Sequence, residues 1–183
     1  SYLNTAARMY KYQYQDQLLI YAQRPDATAC AEYDLWNDVM HRYVRRGSKG
    51  IALLQTQGDQ TRLRYVFDVS DTGTRRTSLD PFLWEITPHN ELAIAAMLDH
   101  TYGVDSNMGL SYQLTHIAQQ QATVYWQDHR QEILRIVDGS FLEEYDEINV
   151  GMSFRRAASA SIGYTLHVRC GLDAHSVFIP EDF

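Results

Sequence analysis

The sequence predicts an α+β fold: helix-rich, with a small antiparallel sheet at about residues 50–70 and a mainly helical C-terminal half. Three observations predict it. Apolar residues recur at intervals of three and four over most of the chain, the spacing of one helix face. The period drops to two in "IALLQTQ" and "TRLRYVFDVS". Between those runs lies "GDQ", a hairpin turn.

The elements follow in chain order. "NTAARMYKYQYQDQLLIYAQ" sets Ala7, Tyr10, Tyr14, Leu18 and Tyr21 on a helical stripe, with Asn4 placed to cap it; the weakly helical "KYQYQ" leaves room for two helices instead of one. Pro25 ends the segment by pushing Arg24 out of the helical region. "YDLWNDVMHRYV" predicts a further helix with Leu35, Trp36, Val39, Met40 and Tyr43 on one side. In the second strand, Leu63, Tyr65, Phe67 and Val69 form an apolar face, and the opposite face carries Arg62 and Arg64. "DTGTRRTSLDPF" is a loop by composition. "PHNELAIAAMLDHTYG" is a helix between a proline and Gly103, and residues 106–139 predict a pair of helices ending at Gly139. Ser140 and Glu143 form the pattern of a capping box opening the next helix. "SFRRAASASIGYTLHVRCG" is a helix rich in small residues, ending at Gly171 and suited to close packing. Six or seven helices result, arranged as a region 1–80 and an acidic helical region 81–183 packed into one compact unit.

Composition is that of a globular protein, at 45% hydrophobic and 21% charged. No apolar run approaches the roughly 18 to 20 residues a membrane helix needs, and no signal-peptide pattern opens the chain. A membrane is therefore not an expected partner. The start at Ser1 without methionine and the end just after "VFIPEDF" are expected of a domain within a larger polypeptide, whose other domains are candidate partners. Cys30 and Cys170 lie in small or apolar surroundings and make no metal pattern; two buried free thiols in a reducing compartment, hence the cytoplasm, are the expectation.

The net charge of -7 hides a split. Residues 1–80 carry 11 Arg or Lys against 9 Asp or Glu, whereas residues 81–183 carry 5 against 14. Within residues 42–76 the count is 8 basic against 3 acidic. The local field governs contact, because salt screens charges beyond about 8 to 10 Å. Of the 16 cations 14 are arginine, which binds phosphate bidentately and stacks on planar rings.

Enzymatic signatures are missing. The seven histidines are scattered singly without an HExxH pair, and no nucleophile accompanies the carboxylates of "EEYDEIN" (Glu143, Glu144, Asp146, Glu147), which has the pattern of a solvated helix surface or a partner contact. No catalytic residue, metal ligand or cofactor is assigned. "RRGSKGI" has glycines beside a lysine, as phosphate-cradling loops do, but a strand follows where a nucleotide-binding loop needs a helix. A turn that sets cations over an extended backbone remains. Tyr10, Tyr12, Tyr14, Tyr21, Trp36, Tyr43 and Tyr65 interleave with the cations of this half, the combination that holds single-stranded nucleic acid. Half or more of these tyrosines are expected in the core with the hydroxyl reaching water, and Trp36 is expected in the core rather than on a ligand.

The segment "QLLIYAQRPDATACAEYDLWNDVMHRYVRRGSKGIALL", followed by "YVFDVSDT", resembles the N-terminal domain of ArdC-type antirestriction proteins. Leu18, Leu19, Trp36, Val44, Arg46, Gly47, Lys49 and Gly50, then Val66, Phe67, Asp68 and Val69, stand at the family's motif positions. The similarity is closer still to domains in large proteins of integrative and conjugative elements, often fused to helicase or methylase regions. It covers residues about 5–72. It implies a non-sequence-specific single-stranded DNA-binding domain carried on mobile DNA. Two departures stand out: the chain lacks the HExxH of the metallopeptidase-like region that ArdC proteins carry downstream, and Asp71 replaces the usual glutamine. The expected nucleic-acid contacts are Arg45, Arg46 and Lys49, helped by Arg42, Arg62 and Arg64, with Tyr43 and Tyr65 stacking on bases. The alternative is a protein-interaction module whose acidic helices dock a restriction enzyme or a fused helicase or methylase.

Overall fold

The computed structural model describes every residue except Asp59 and Leu83, and every side chain among those except that of Glu181. The chain is an α+β protein that divides into two compact units, Ser1–Trp84 and Glu85–Phe183.

The first unit opens with two helices, α1 (Tyr2–Arg8) and α2 (Tyr14–Gln23). Asn4 lies inside α1 and does not cap it; Ser1 stands at the N-cap. The "KYQYQ" segment is where the two helices part. Arg24 leaves α2 at φ -151°, as the following proline requires. Strand β1 (Cys30–Glu32) comes next, then a single wide turn of π-helix over Leu35–Val39 in place of the longer helix expected there. Only its Trp36 is buried, donating from Nε1 to the Phe67 carbonyl at 2.8 Å, whereas Leu35 and Val39 are exposed. With one anchor instead of a stripe, the helix has no apolar face to continue on. The chain turns back at His41 (φ 52°) into β2 (Tyr43–Val44).

Strands β3 (Ile51–Gln57) and β4 (Gln60–Asp68) form the expected hairpin, with Ile51 opposite Val66 and Gln57 opposite Gln60. The middle residue of the predicted turn, Asp59, lies outside the described residues. β1 pairs antiparallel with the far end of β4, Cys30 opposite Asp68, giving the sheet order β1–β4–β3. A two-stranded ribbon of β2 with β5 (Thr72–Gly73) stands beside it. Helices α1 and α2 cover one sheet face: Met9, Ile20 and Ala27 meet Ile51, Leu53 and Val66 in the core.

The second unit is helical. α3 (Glu91–Tyr102) ends at Gly103. Residues 106–139 do not form two comparable helices: a 3-10 turn, Ser106–Met108, stops at Gly109 and a single helix α4 (Leu110–Val137) follows. Nothing inside α4 breaks it, since residues 110–137 contain neither glycine nor proline. The Ser140–Glu143 box does not open a helix either. Ser140 Oγ accepts from the Leu142 amide within a run of turns, and α5 (Glu147–Arg169) starts where the Asp146 side chain accepts from the Asn149 amide at 2.9 Å. Along α5 the small residues allow close approach, because a methyl group on Gly163 would lie 2.5 Å from the Phe178 ring. Gln113, fully buried in α4, donates to the carbonyls of Ala95 and Val104. His167, also fully buried, donates from Nδ1 to the Gly163 carbonyl, and its Nε2 lies 2.8 Å from Ser111 Oγ. Among the described residues no helix is long and apolar enough to cross a membrane, and no cluster of three His, Cys, Asp or Glu could hold a metal.

Candidate nucleic-acid interface

The site is built on β4, and the strand's two faces set its character. Val66 and Asp68 are the buried positions, so β4 turns its even-numbered residues toward α1 and α2. The odd-numbered residues, the apolar face of the sequence pattern, point the other way: Leu63 is 57% exposed and Tyr65 51%. The partner strand agrees, burying Ile51 and Leu53 and leaving Leu54 53% exposed directly across from Leu63.

Arg64 sits on the covered face because two carboxylates meet it there. Its Nη2 lies 2.6 Å from Asp16 of α2 and its Nη1 3.1 Å from Glu32 of β1. Its guanidinium also lies 5.9 Å from the Tyr12 ring centroid. An arginine held by two carboxylates has little left for a phosphate, so Arg64 is corrected from a ligand contact to a strut between α2 and the sheet. Arg42 is corrected likewise. It is 8% exposed, donates from Nε to Thr72 Oγ1 at 2.8 Å, and reaches Asp80 at 3.4 Å. Arg62 shares the Arg64 face, away from Tyr65, but is exposed and bonded to Gln60.

The remaining cations lie together. Arg45, Arg46 and Lys49 occupy the turn between β2 and β3 and are all exposed. None of them, nor Arg62, makes an ion pair among the described residues. Arg45 donates from Nη1 to the Ser70 carbonyl and from its amide to the Asp71 carbonyl, and its own carbonyl accepts from the Ser48 amide. Gly47 makes the turn at φ 90°, a conformation side chains resist. Gly50 brings the end of the turn against Tyr65: a methyl group there would come 3.1 Å from Tyr65 Cβ and 3.2 Å from its ring. The basic turn and the open face of β3–β4 are thus neighbours.

The two expected stacking residues differ. Tyr65 stands on the open face beside Gly50, Leu63 and Leu54. The Tyr43 ring instead lies against Gly73, where any added Cβ would strike it, with the Arg75 guanidinium 5.6 Å from its centroid. Arg75 is itself held by Asn37 at 3.1 Å. Tyr43 is therefore already stacked. Of the other tyrosines, Tyr12 donates to the Cys30 carbonyl, while Tyr14 and Tyr21 pack edge-on against Tyr2. Sequence reasoning missed Leu54 and Leu63 as surface groups. The cross-strand pairing of these two residues, fixed by the hairpin turn, is the signal that places them on one face.

Beneath the turn lies a carboxylate node. Asp68, 2% exposed, accepts from the amides of Thr28, Ala29 and Ser70 and from the Ser70 hydroxyl. Burial alone would raise its pKa; the Ser70 hydroxyl and these amides outweigh it and hold the carboxyl below its ordinary value. Asp71, the departure from the ArdC-type pattern, is bound by Arg24 at 2.6 Å. No protein-family model, curated protein or solved structure matches the chain.

Proposed function

We propose that the first unit is a non-sequence-specific single-stranded DNA-binding module, carried by an antirestriction-like or DNA-processing protein of a mobile element, and that it acts by binding alone. One observation carries the reading: an exposed basic turn, Arg45, Arg46 and Lys49, with no ion pair among the described residues, runs into an open sheet face that presents Tyr65, Leu54 and Leu63. Cations neutralise phosphates and an exposed ring stacks on any base, at about 1 to 3 kcal/mol per base. The face offers bases rings and methyl groups instead of directed hydrogen bonds, which gives affinity without sequence readout. The resemblance to ArdC-type N-terminal domains supports the same reading.

Fluorescence anisotropy with labelled single- and double-stranded oligonucleotides tests it. With about three phosphates neutralised, log K against log salt should slope near -2 for single strands. Charge reversal, Arg45→Glu with Arg46→Glu, should weaken every sequence alike, by about tenfold or more at low salt. Losses confined to particular sequences, or no binding by the unmodified chain, would overturn the proposal.

A second reading has its own support. Around the acidic segment of the second unit, Phe141 is 89% exposed and Ile148 74%, beside exposed Glu143 and Glu144. Exposed apolar groups among carboxylates suit a protein with a basic surface, such as a restriction enzyme or a fused helicase. On that reading Glu143→Lys with Glu144→Lys abolishes partner capture, and reversal of the basic turn does not.

A further inference from the structure

Strand β3 is an edge of its sheet. Gln57 and Gln60 flank the hairpin loop, so Ile51, Leu53, Gln55 and Gln57 direct their amides and carbonyls at β4, and Ala52, Leu54 and Thr56 direct theirs outward. At Ala52 the edge is closed. Gln23, the last residue of α2, donates to the Ala52 carbonyl at 2.8 Å and accepts from its amide at 2.9 Å, filling the place of a neighbouring strand. Beyond it, the outward backbone groups of Leu54 and Thr56 have no partner among the described residues. Both residues are exposed. Natural edges are guarded by lysines, prolines or inward charges, and "IALLQTQ" has none of these.

We propose that this edge pairs with β3 of a second copy of the chain, antiparallel about a two-fold axis, with Leu54 opposite Thr56 of the second copy and Gln55 opposite Gln55. The occupant follows from charge and register. A neutral strand places no like charges against itself, although the chain as a whole carries -7. Because Gln23 already occupies Ala52, pairing Leu54 with itself, or Thr56 with itself, leaves half of the open groups unmatched. Setting 54 against 56 uses every open amide and carbonyl on both copies. That register also keeps the Leu54, Leu63 and Tyr65 side chains of both copies on one continuous face. The inference rests on the strand edge alone, and its test contains no DNA.

In this register Gln55 and its symmetry mate form a non-hydrogen-bonded pair, with Cα atoms about 4.5 Å apart and within disulfide range. Gln55→Cys in the full chain should give a reducible disulfide dimer under mild oxidation, assayed by non-reducing electrophoresis. Gln57→Cys, also exposed, lies too far from its own mate to bridge. The dimer fraction of the first should exceed the second about tenfold. Burial pushes the Cys30 thiol up to about 12 and that of Cys170 up to about 11, which keeps background exchange low. Leu54→Lys, a surface change, added to Gln55→Cys should abolish the cross-link, with circular dichroism confirming the fold. Equal cross-linking at 55 and 57, or a cross-link indifferent to Leu54→Lys, would overturn the proposal. So would a chain that sediments as a monomer at all concentrations.

Discussion

Arg64 and Arg46 are the same chemical group on the same unit, and they live differently. Arg64, with Arg24 and Arg42, has an ion-pair partner: Asp16 and Glu32 hold Arg64, Asp71 and Asp26 hold Arg24, and Asp80 meets Arg42. Arg46, with Arg45 and Lys49, stands in solvent with none among the described residues. The first set ties helices and loops to the sheet, and the second is left over for a ligand. A count of cations along the chain merges the two. What separates them is the carboxylate each finds in three dimensions.

The sharpest way to break this contrast is to remove the node the structural set surrounds. Asp68→Ala leaves the amides of Thr28, Ala29 and Ser70 without their acceptor, and the Ser70 hydroxyl that Arg24 also binds loses its other partner. A loss of about 3 to 4 kcal/mol in urea unfolding is expected. The pH dependence follows from the depressed pKa. Stability from Asp68 is complete above the ordinary carboxyl value of 3.8 and is lost as pH falls through it toward the lower folded-state value. The gap in Tm between the unmodified chain and Asp68→Asn should therefore shrink on acidification from pH 7 to pH 3. A constant gap would show that Asp68 acts by shape and not as an anion.

Next in size is Arg64→Leu. Asp16, a mostly buried side chain, loses its ion pair, for a cost of about 2 kcal/mol. Single-stranded DNA affinity should stay within about twofold, since Arg64 lies on the face opposite Tyr65. The double variant Arg45→Glu with Arg46→Glu should do the reverse, with stability within about 0.5 kcal/mol of the unmodified chain. If both substitutions weaken DNA and stability together, the division between the two sets is wrong.

What could be read from the sequence divides along the same line. The hairpin was legible because period-two patterning and a glycine-bearing turn are local. The helix ends at Gly103 and Gly171 were legible for the same reason. The orientation of β4 was not. Leu63, Tyr65 and Phe67 form an apolar face in the sequence, but no local signal says which face is covered; Asp16 and Glu32, 48 and 32 residues away from Arg64, meet the arginine face. Strand β1 is only three residues, and its pairing with β4 makes it a strand, not its own pattern. The Ser140 box lost to Asp146, whose carboxylate binds both the Asn149 amide and its side chain. Among the candidate contacts, local reasoning placed the basic turn, Arg45 to Lys49, on the surface. It failed for Arg42 and Arg64, whose fates depend on distant carboxylates and hydroxyls.

The smallest effect concerns the tyrosines and refines the comparison to single rings. Tyr65→Ala removes the exposed ring that packs beside Gly50 at the end of the basic turn, and single-strand affinity should fall by about 1 to 2 kcal/mol, five- to thirtyfold, with the salt slope unchanged. The slope reports phosphates, and the ring contributes none. Tyr65→Phe should bind almost as the unmodified chain does, because a stacked base needs the ring and not the hydroxyl. Tyr43→Ala should leave DNA binding within about twofold and instead lower Tm, since its ring packs on Gly73 under Arg75. Anisotropy titrations at two salt concentrations, paired with thermal melts, separate the outcomes. If Tyr43→Ala weakens DNA as much as Tyr65→Ala does, the ring already stacked in the free chain exchanges Arg75 for a base, and the binding face extends across β2 and β5.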